Sequence, residues 1–278
     1  MIILILTIVG LCLGSFINAL VWRLNALEIE SSKKRLNLEY INDLSILNGR
    51  SMCTNCKHKL NSLDLIPIFS WIILRGRCRY CKHNISIIYP IVELTVAIIF
   101  DLTYICWPNN LIGIEIEIFA LWLLVLTGFV ALFYYDVKWY KLPTSIIYTL
   151  MPIGLIISII NISRSNEILK SIVSLLISIL IGGGIFYAIY QLSDGKYIGG
   201  GDVRLGWLLG LLAGSPAKII LILFLASLIG SLFSITLIIL KRLTPKSVIA
   251  FGPFLLTASY ITLLFGPDIL NWYKSLII

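Results

Sequence analysis

Apolar runs of about twenty residues recur along this chain, and roughly 20 residues of helix are what a bilayer's hydrocarbon core demands of a crossing segment. They extend from about Ile2 to Trp22, Ile85 to Trp107, Ile118 to Tyr135, Thr144 to Ile162, Ile168 to Leu192, Ala217 to Leu240 and Val248 to Tyr273. A shorter run from Val203 to Ala213 sits sixth in order and is short enough to stop part-way. Within hydrocarbon the backbone must satisfy its own polar groups, so runs of this length are expected to be helices. The expected fold is all-α and polytopic, with about eight transmembrane helices. Composition agrees: 13% of residues are charged and 59% hydrophobic, where a soluble domain carries about 25% charged residues. The first run, Met1 to Trp22, is too long for a signal-peptide core and is followed by no small-residue cleavage site, so it is expected to persist as a helix.

The net charge of +8 would suit a nucleic-acid binder, but its distribution argues against that. Half of the 22 lysines and arginines fall between Arg23 and Lys82, in the one long polar segment, as in a cytoplasmic loop under the positive-inside rule. Threading eight crossings from there leaves only Arg164, Lys170, Lys218 and Lys274 outside, with both termini outside. The expected location is the cytoplasmic (inner) membrane, crossed many times, with the bilayer itself as a partner and no nucleic acid. The chain then divides into a first transmembrane helix (1–22), a cytoplasmic loop domain (23–84) and a transmembrane helical domain (85–278). It reads as free of internal repeats.

Within the loop, Cys53-Thr-Asn-Cys56 and Cys78-Arg-Tyr-Cys81 form two C-x-x-C knuckles. Thiolates so spaced can wrap one ion tetrahedrally, and zinc is the usual occupant. Disulfides rarely persist in a reducing compartment, so a metal site is expected over two redox pairs. Four thiolates leave no open coordination position, which makes the zinc structural. His58 and His83 are expected to be solvent-exposed, and Cys12 and Cys106 to be small apolar packers.

Two acids stand out. Asp202 follows Gly199-Gly200-Gly201, at the entry to the short sixth run. An aspartate there can cap the helix, but a carboxylate entering the membrane usually has a task, and glycines admit positive φ and a close approach by another chain. Asp136 ends the third run beside Trp139, Tyr140 and Lys141, where the helix dipole disfavours an acid. Both fall on the cytoplasmic side. Brought together, two carboxyls share one proton, and such a pair can act as base on a water and as acid on a leaving amine. Peptide hydrolysis is the chemistry that fits. Glu93, inside the second run, is a further candidate for the active-site region; Asp101 is a weaker one, and Asp194 reads as a turn residue. There is no G-x-S-x-G and no H-E-x-x-H.

At these residues the chain resembles the type IV prepilin peptidases, the bifunctional leader peptidase and N-methyltransferase family of the G-x-G-D aspartic class. The resemblance is carried by Gly14-Ser15-Phe16-Ile17-Asn18 with Arg23, by Arg50 to Cys81, and by Ile85 to Pro90 with Glu93. Asp136 with Leu142-Pro143, Gly199 to Arg204, and Phe251-Gly252-Pro253-Phe254 complete it. It implies that Asp136 and Asp202 are the catalytic pair. It further implies a prepilin or pseudopilin substrate cut after a glycine, then methylation of the new amine by S-adenosylmethionine. Family members usually carry Pro-Asp where this chain has Pro143-Thr144, Cys-Pro where it has Cys53-Thr54, and lysine where it has Arg204. A presenilin-type protease shares Tyr135-Asp136 and Gly-x-Gly-Asp but gives no reason for the cysteine loop. A transporter or membrane scaffold is the non-enzymatic alternative, and cleavage of a prepilin junction separates it.

Overall fold

The computed structural model describes residues 1–32, 44–45, 49–242, 244, 247 and 249–277. Val248, the expected start of the last helix, lies outside them, as do 33–43 and 46–48 of the polar loop. Nine helices are described: α1 Ile2–Ser31, α2 Phe69–Ile73, α3 Ile88–Ile105, α4 Ile114–Trp139, α5 Thr144–Ser163, α6 Ile168–Leu192, α7 Gly200–Ala213, α8 Pro216–Ile239 and α9 Gly252–Ile277. Among the described residues no strand forms; two isolated bridges, Met52 with Lys59 and Arg77 with Asn84, are the only β pairing. All but α2 and α7 are long and apolar enough to cross a membrane, seven helices in all. The chain is a multi-pass membrane protein. With 14 residues, α7 reaches only about 21 Å and falls short of a hydrocarbon core of about 30 Å.

Two compact units divide at Cys106/Trp107. In the first, α1 packs along α3 through Gly10 and Gly14, four residues apart on one helix face. A Cβ at Gly10 would come within 2.7 Å of Ala97 Cα, and one at Gly14 within 2.5 Å of Glu93 Cα. Small residues at this spacing let membrane helices touch backbone to backbone. The contact is pinned by Asn18 Nδ2 donating to Tyr89 O at 3.0 Å and by the Thr7 hydroxyl donating to Asp101 at 2.8 Å. Asp101, the weaker of the two acid candidates in the second run, is thus tied to α1. Beyond Trp22, α1 runs on to Ser31, because the stretch Arg23–Glu30 holds no glycine or proline to end it. Arg23, only 6% exposed, donates to Ser45 O and Gly49 O at 2.9 and 2.8 Å, bracing the start of the polar loop against the helix.

In the second unit the shortest helix is the core. Helix α7 touches α5, α6, α8 and α9, and Leu205, Leu208 and Leu209 are fully buried; a helix apolar on all sides is an interior one. Its Gly206 and Gly210 repeat the four-residue spacing. A Cβ at Gly206 would overlap Gly182 O of α6, and one at Gly210 would meet Ile179 Cα at 2.7 Å. Ser178 donates to Gly210 O at 2.8 Å across the same seam. Gly214 closes α7 with a left-handed φ of 66°, and Ser215 then caps α8, with Pro216 at its first position.

Candidate functional site

Asp136 and Asp202 both belong to the second unit, and three helix ends bring them together. Asp136 stands in the last turn of α4, which Tyr140 terminates in the left-handed region at φ 55°. That sharp stop turns the chain into Lys141-Leu142-Pro143 and on to α5. Asp202 stands in the first turn of α7, with Gly199 as N-cap. The third end is the start of α9, where the Gly252 N–H donates to the Asp136 carboxylate. Asp202 lies close enough for its charge to act on Asp136. Leu142 packs where Cβ atoms at Gly201 and Gly252 would meet it, at 3.0 and 3.4 Å, so one side chain spaces all three ends. Asp136 is 4% exposed and Asp202 is half-buried.

The glycine run differs from expectation in conformation. None of Gly199, Gly200 and Gly201 has positive φ. Gly199 is extended at φ −75°, ψ 151° and the other two form the first helical turn. Asp202 reaches back to the Gly199 N–H, as a carboxylate at the third helical position does in a capping arrangement. What the run provides is open ground, since a Cβ at Gly199 or Gly200 would meet nothing closer than 3.7 Å. The local cap and the encounter with Asp136 coexist at Asp202. For Asp136 the missing local explanation is supplied from a distance, by the amino end of α9, where the dipole favours a negative charge.

Two departures from the family pattern turn out to be partners. Arg204 Nη1 donates to Thr144 Oγ1 at 2.9 Å, so the residues standing where aspartate and lysine are usual meet each other and tie α7 to α5. At the end of α4, Lys138 lies over the Trp139 ring at 4.5 Å, and just ahead of α9 Phe251 packs against Phe186 and Phe254 at 6.2 and 6.5 Å.

Glu93 belongs to the first unit. It is 7% exposed, its Oε2 accepts the Ile68 N–H at 2.7 Å, and it takes the Ser15 hydroxyl. Ile68 has φ 60° and ψ −54°, closing a three-residue turn in which the Phe69 N–H donates to Pro67 O. Positive φ is costly for a β-branched residue, and Glu93 is one of the contacts that hold it there. Gly14, Ser15, Asn18 and Glu93 therefore form one joint between α1, α3 and the turn ahead of α2.

The cysteines also lie in the first unit, with the four Sγ atoms all within 4.8 Å of one another and Cys53 and Cys81 at 3.8 Å. A tetrahedron with metal–sulfur bonds of about 2.3 Å has edges of about 3.8 Å, so the cluster could hold a metal ion. The knuckles are built twice over. Cys53 N donates to His58 O and Lys57 N to Cys53 O, at 3.0 and 2.9 Å; Cys78 N donates to His83 O and Lys82 N to Cys78 O, at 2.9 and 3.0 Å. Lys57 and Lys82 both take positive φ, 56° and 60°. The sequence beneath is Cys-x-x-Cys-Lys-His on both occasions, a repeat that the expectation of no internal repeats missed because it spans only six residues. The His83 N–H draws the Cys81 thiol down to about 6, and burial pushes the Cys78 thiol up. His58 and His83 are exposed as expected, and His58 stacks on Tyr80 at 3.7 Å.

Residues 8–107 match the model of the bacterial Peptidase A24 N-terminal domain, and residues 118–235 that of the type IV leader peptidase family. The chain is 30% identical to a prepilin leader peptidase/N-methyltransferase of Aeromonas hydrophila, with 96% of this chain and 91% of the relative covered. It is 29% identical to one of Aeromonas salmonicida (97% and 92%) and 30% identical to one of Neisseria gonorrhoeae (96% and 93%). No solved structure matches the chain. Two family models laid end to end over the two structural units, and relatives matched over almost their whole length, agree with the paired aspartates and the doubled cysteine knuckle: the chain belongs to the type IV leader peptidase family.

Proposed function

We propose that the protein is a membrane aspartic endopeptidase that removes the short basic leader of type IV prepilins or pseudopilins, cutting after a glycine at the cytoplasmic membrane face. The observation that carries this reading is that Asp136 and Asp202, at the ends of α4 and α7, lie near enough for the charge of one to act on the other. One ionised carboxylate takes a proton from water, whose oxygen attacks the scissile carbonyl carbon. The protonated partner donates a hydrogen bond to the carbonyl oxygen and then its proton to the departing amine. Water is consumed, the C–N bond breaks, and the pair again holds one proton. The open backbone at Gly199 and Gly200 leaves room for the substrate chain beside Asp202.

Cys53, Cys56, Cys78 and Cys81 would hold a zinc ion whose chemistry is structural, fixing two knuckles to one another. Methyl transfer from S-adenosylmethionine to the freed amine completes the reading. The described residues show no strand-to-helix glycine turn to cradle that donor, so methylation rests on the relatives' names. The test is incubation of the purified full chain with a prepilin and labelled S-adenosylmethionine. A product beginning directly after the leader glycine, and carrying the label, is expected. An intact prepilin, with the protein folded, overturns the peptidase reading.

A further inference from the structure

At the opposite end of the second unit from the aspartates lies a cavity of about 770 Å³ that peptide cleavage does not use. Its walls come from the amino ends of α4, α6 and α8 and the carboxyl ends of α5 and α7. Glu115 on its wall and Asp136 are separated by twenty-one positions of one helix, about 32 Å at 1.5 Å per residue. The volume falls within the span of small-molecule sites, about 300–1,000 Å³.

The polar groups of the wall can be followed to their partners. Glu115 pairs with Arg164 and takes a hydrogen bond from Asn109. Glu167 pairs with Lys170 at 2.9 Å. The Ser158 hydroxyl donates to Leu211 O and that of Ser171 to Ser165. Two donors without a partner stand out, one charged and one buried. The half-buried Lys218 ammonium has no carboxylate partner among the described residues. The Trp107 Nε1–H is buried with no acceptor, its ring held edge-on against Phe119 at 5.1 Å. Lys218 also sits in the first turn of α8, where the helix dipole adds positive potential. A buried donor without an acceptor is costly, and an ammonium without a counter-charge more so. Both point to a ligand that accepts and is negative. Trp107 and Trp122 on the wall are of the type that gathers at headgroup depth.

We propose that this cavity binds a phosphate-type oxyanion, presented by the headgroup of an anionic phospholipid, with Lys218 and Trp107 as its donors. The ligand is distinct from the peptide substrate, and the site does not depend on the peptidase reading.

The full-length protein, stripped of lipid in detergent, is titrated with short-chain phosphatidylglycerol, phosphatidylcholine and inorganic phosphate, and bound ligand is counted by native mass spectrometry. Phosphatidylglycerol should bind one to one and more tightly than the zwitterionic lipid. Lys218→Gln should weaken it about tenfold, the scale of a hydrogen bond to a charged group, and Trp107→Phe about fivefold. Lys218→Arg should restore most of the affinity. Lys170→Gln, which removes an ammonium already paired with Glu167, should change it by less than about twofold. Equal competition by inorganic phosphate supports the oxyanion site with the free ion as its source; failure to compete supports the lipid. Wild-type affinity in Lys218→Gln, or an equal loss in Lys170→Gln, overturns the proposal. Should Lys218→Gln not fold, unchanged affinity in Trp107→Phe overturns it alone.

Discussion

A methyl group added at Gly252 would have nowhere to go but into Asp136 Oδ2. Gly252→Ala should therefore displace the carboxylate while leaving the helices in place. A misplacement of about 1 Å can cost on the order of a hundredfold in rate, so prepilin cleavage should fall by about that much with little change in thermal midpoint; wild-type turnover would show that Asp136 is not held by α9. Ile68 offers the opposite case. Its positive φ is a strain that glycine would not feel, so Ile68→Gly should stabilise the first unit by about 1 kcal/mol, read as a raised unfolding midpoint. Asp136 was legible as a candidate because an acid at the carboxyl end of a helix lacks a cheap explanation, and Asp202 because a carboxylate entering the membrane usually has a task. The contribution of Gly252 was not, since a glycine in Phe-Gly-Pro-Phe carries no sign of what lies opposite its hydrogen. Likewise Thr144 and Arg204 read as separate departures until their hydrogen bond joined them.

At the level of helices, hydropathy located every long element to within a few residues except at the carboxyl end of α1, because an apolar run of this length has no other stable form in lipid. It said nothing about which helix would be central. The core role of α7 arises from Gly206 and Gly210 facing Gly182 and Ile179, a spacing that Gly10 and Gly14 share and that does not by itself tell a central helix from a peripheral one. Gly206→Val should drive the two backbones apart and lower stability by about 1–3 kcal/mol, seen as a lower unfolding temperature in detergent; an unchanged midpoint would mean that α6 and α7 do not meet at this seam. The extension of α1 to Ser31 was missed for a different reason. Charged residues after Trp22 end a membrane span but not a helix.

For the whole molecule, the division at Cys106/Trp107 places the cysteine cluster and Glu93 in one unit and the aspartates in the other. Metal and chemistry should therefore be separable in part. Cys53→Ser should lower the zinc content of purified protein below one ion per chain and expose the segment from Cys53 to Cys81 to proteolysis, while α4 to α9 stay folded. Full zinc content in that variant would exclude the four-thiolate site. The paired action of the aspartates is tested most directly by the cleavage rate of one prepilin by Asp136→Asn, Asp202→Asn and the double variant. Groups that act as a unit are not additive: either single substitution should abolish detectable cleavage, and the double should lose nothing further. Cleavage surviving in one of the singles, or a double variant worse than both, would mean that the two carboxyls do not share one reaction.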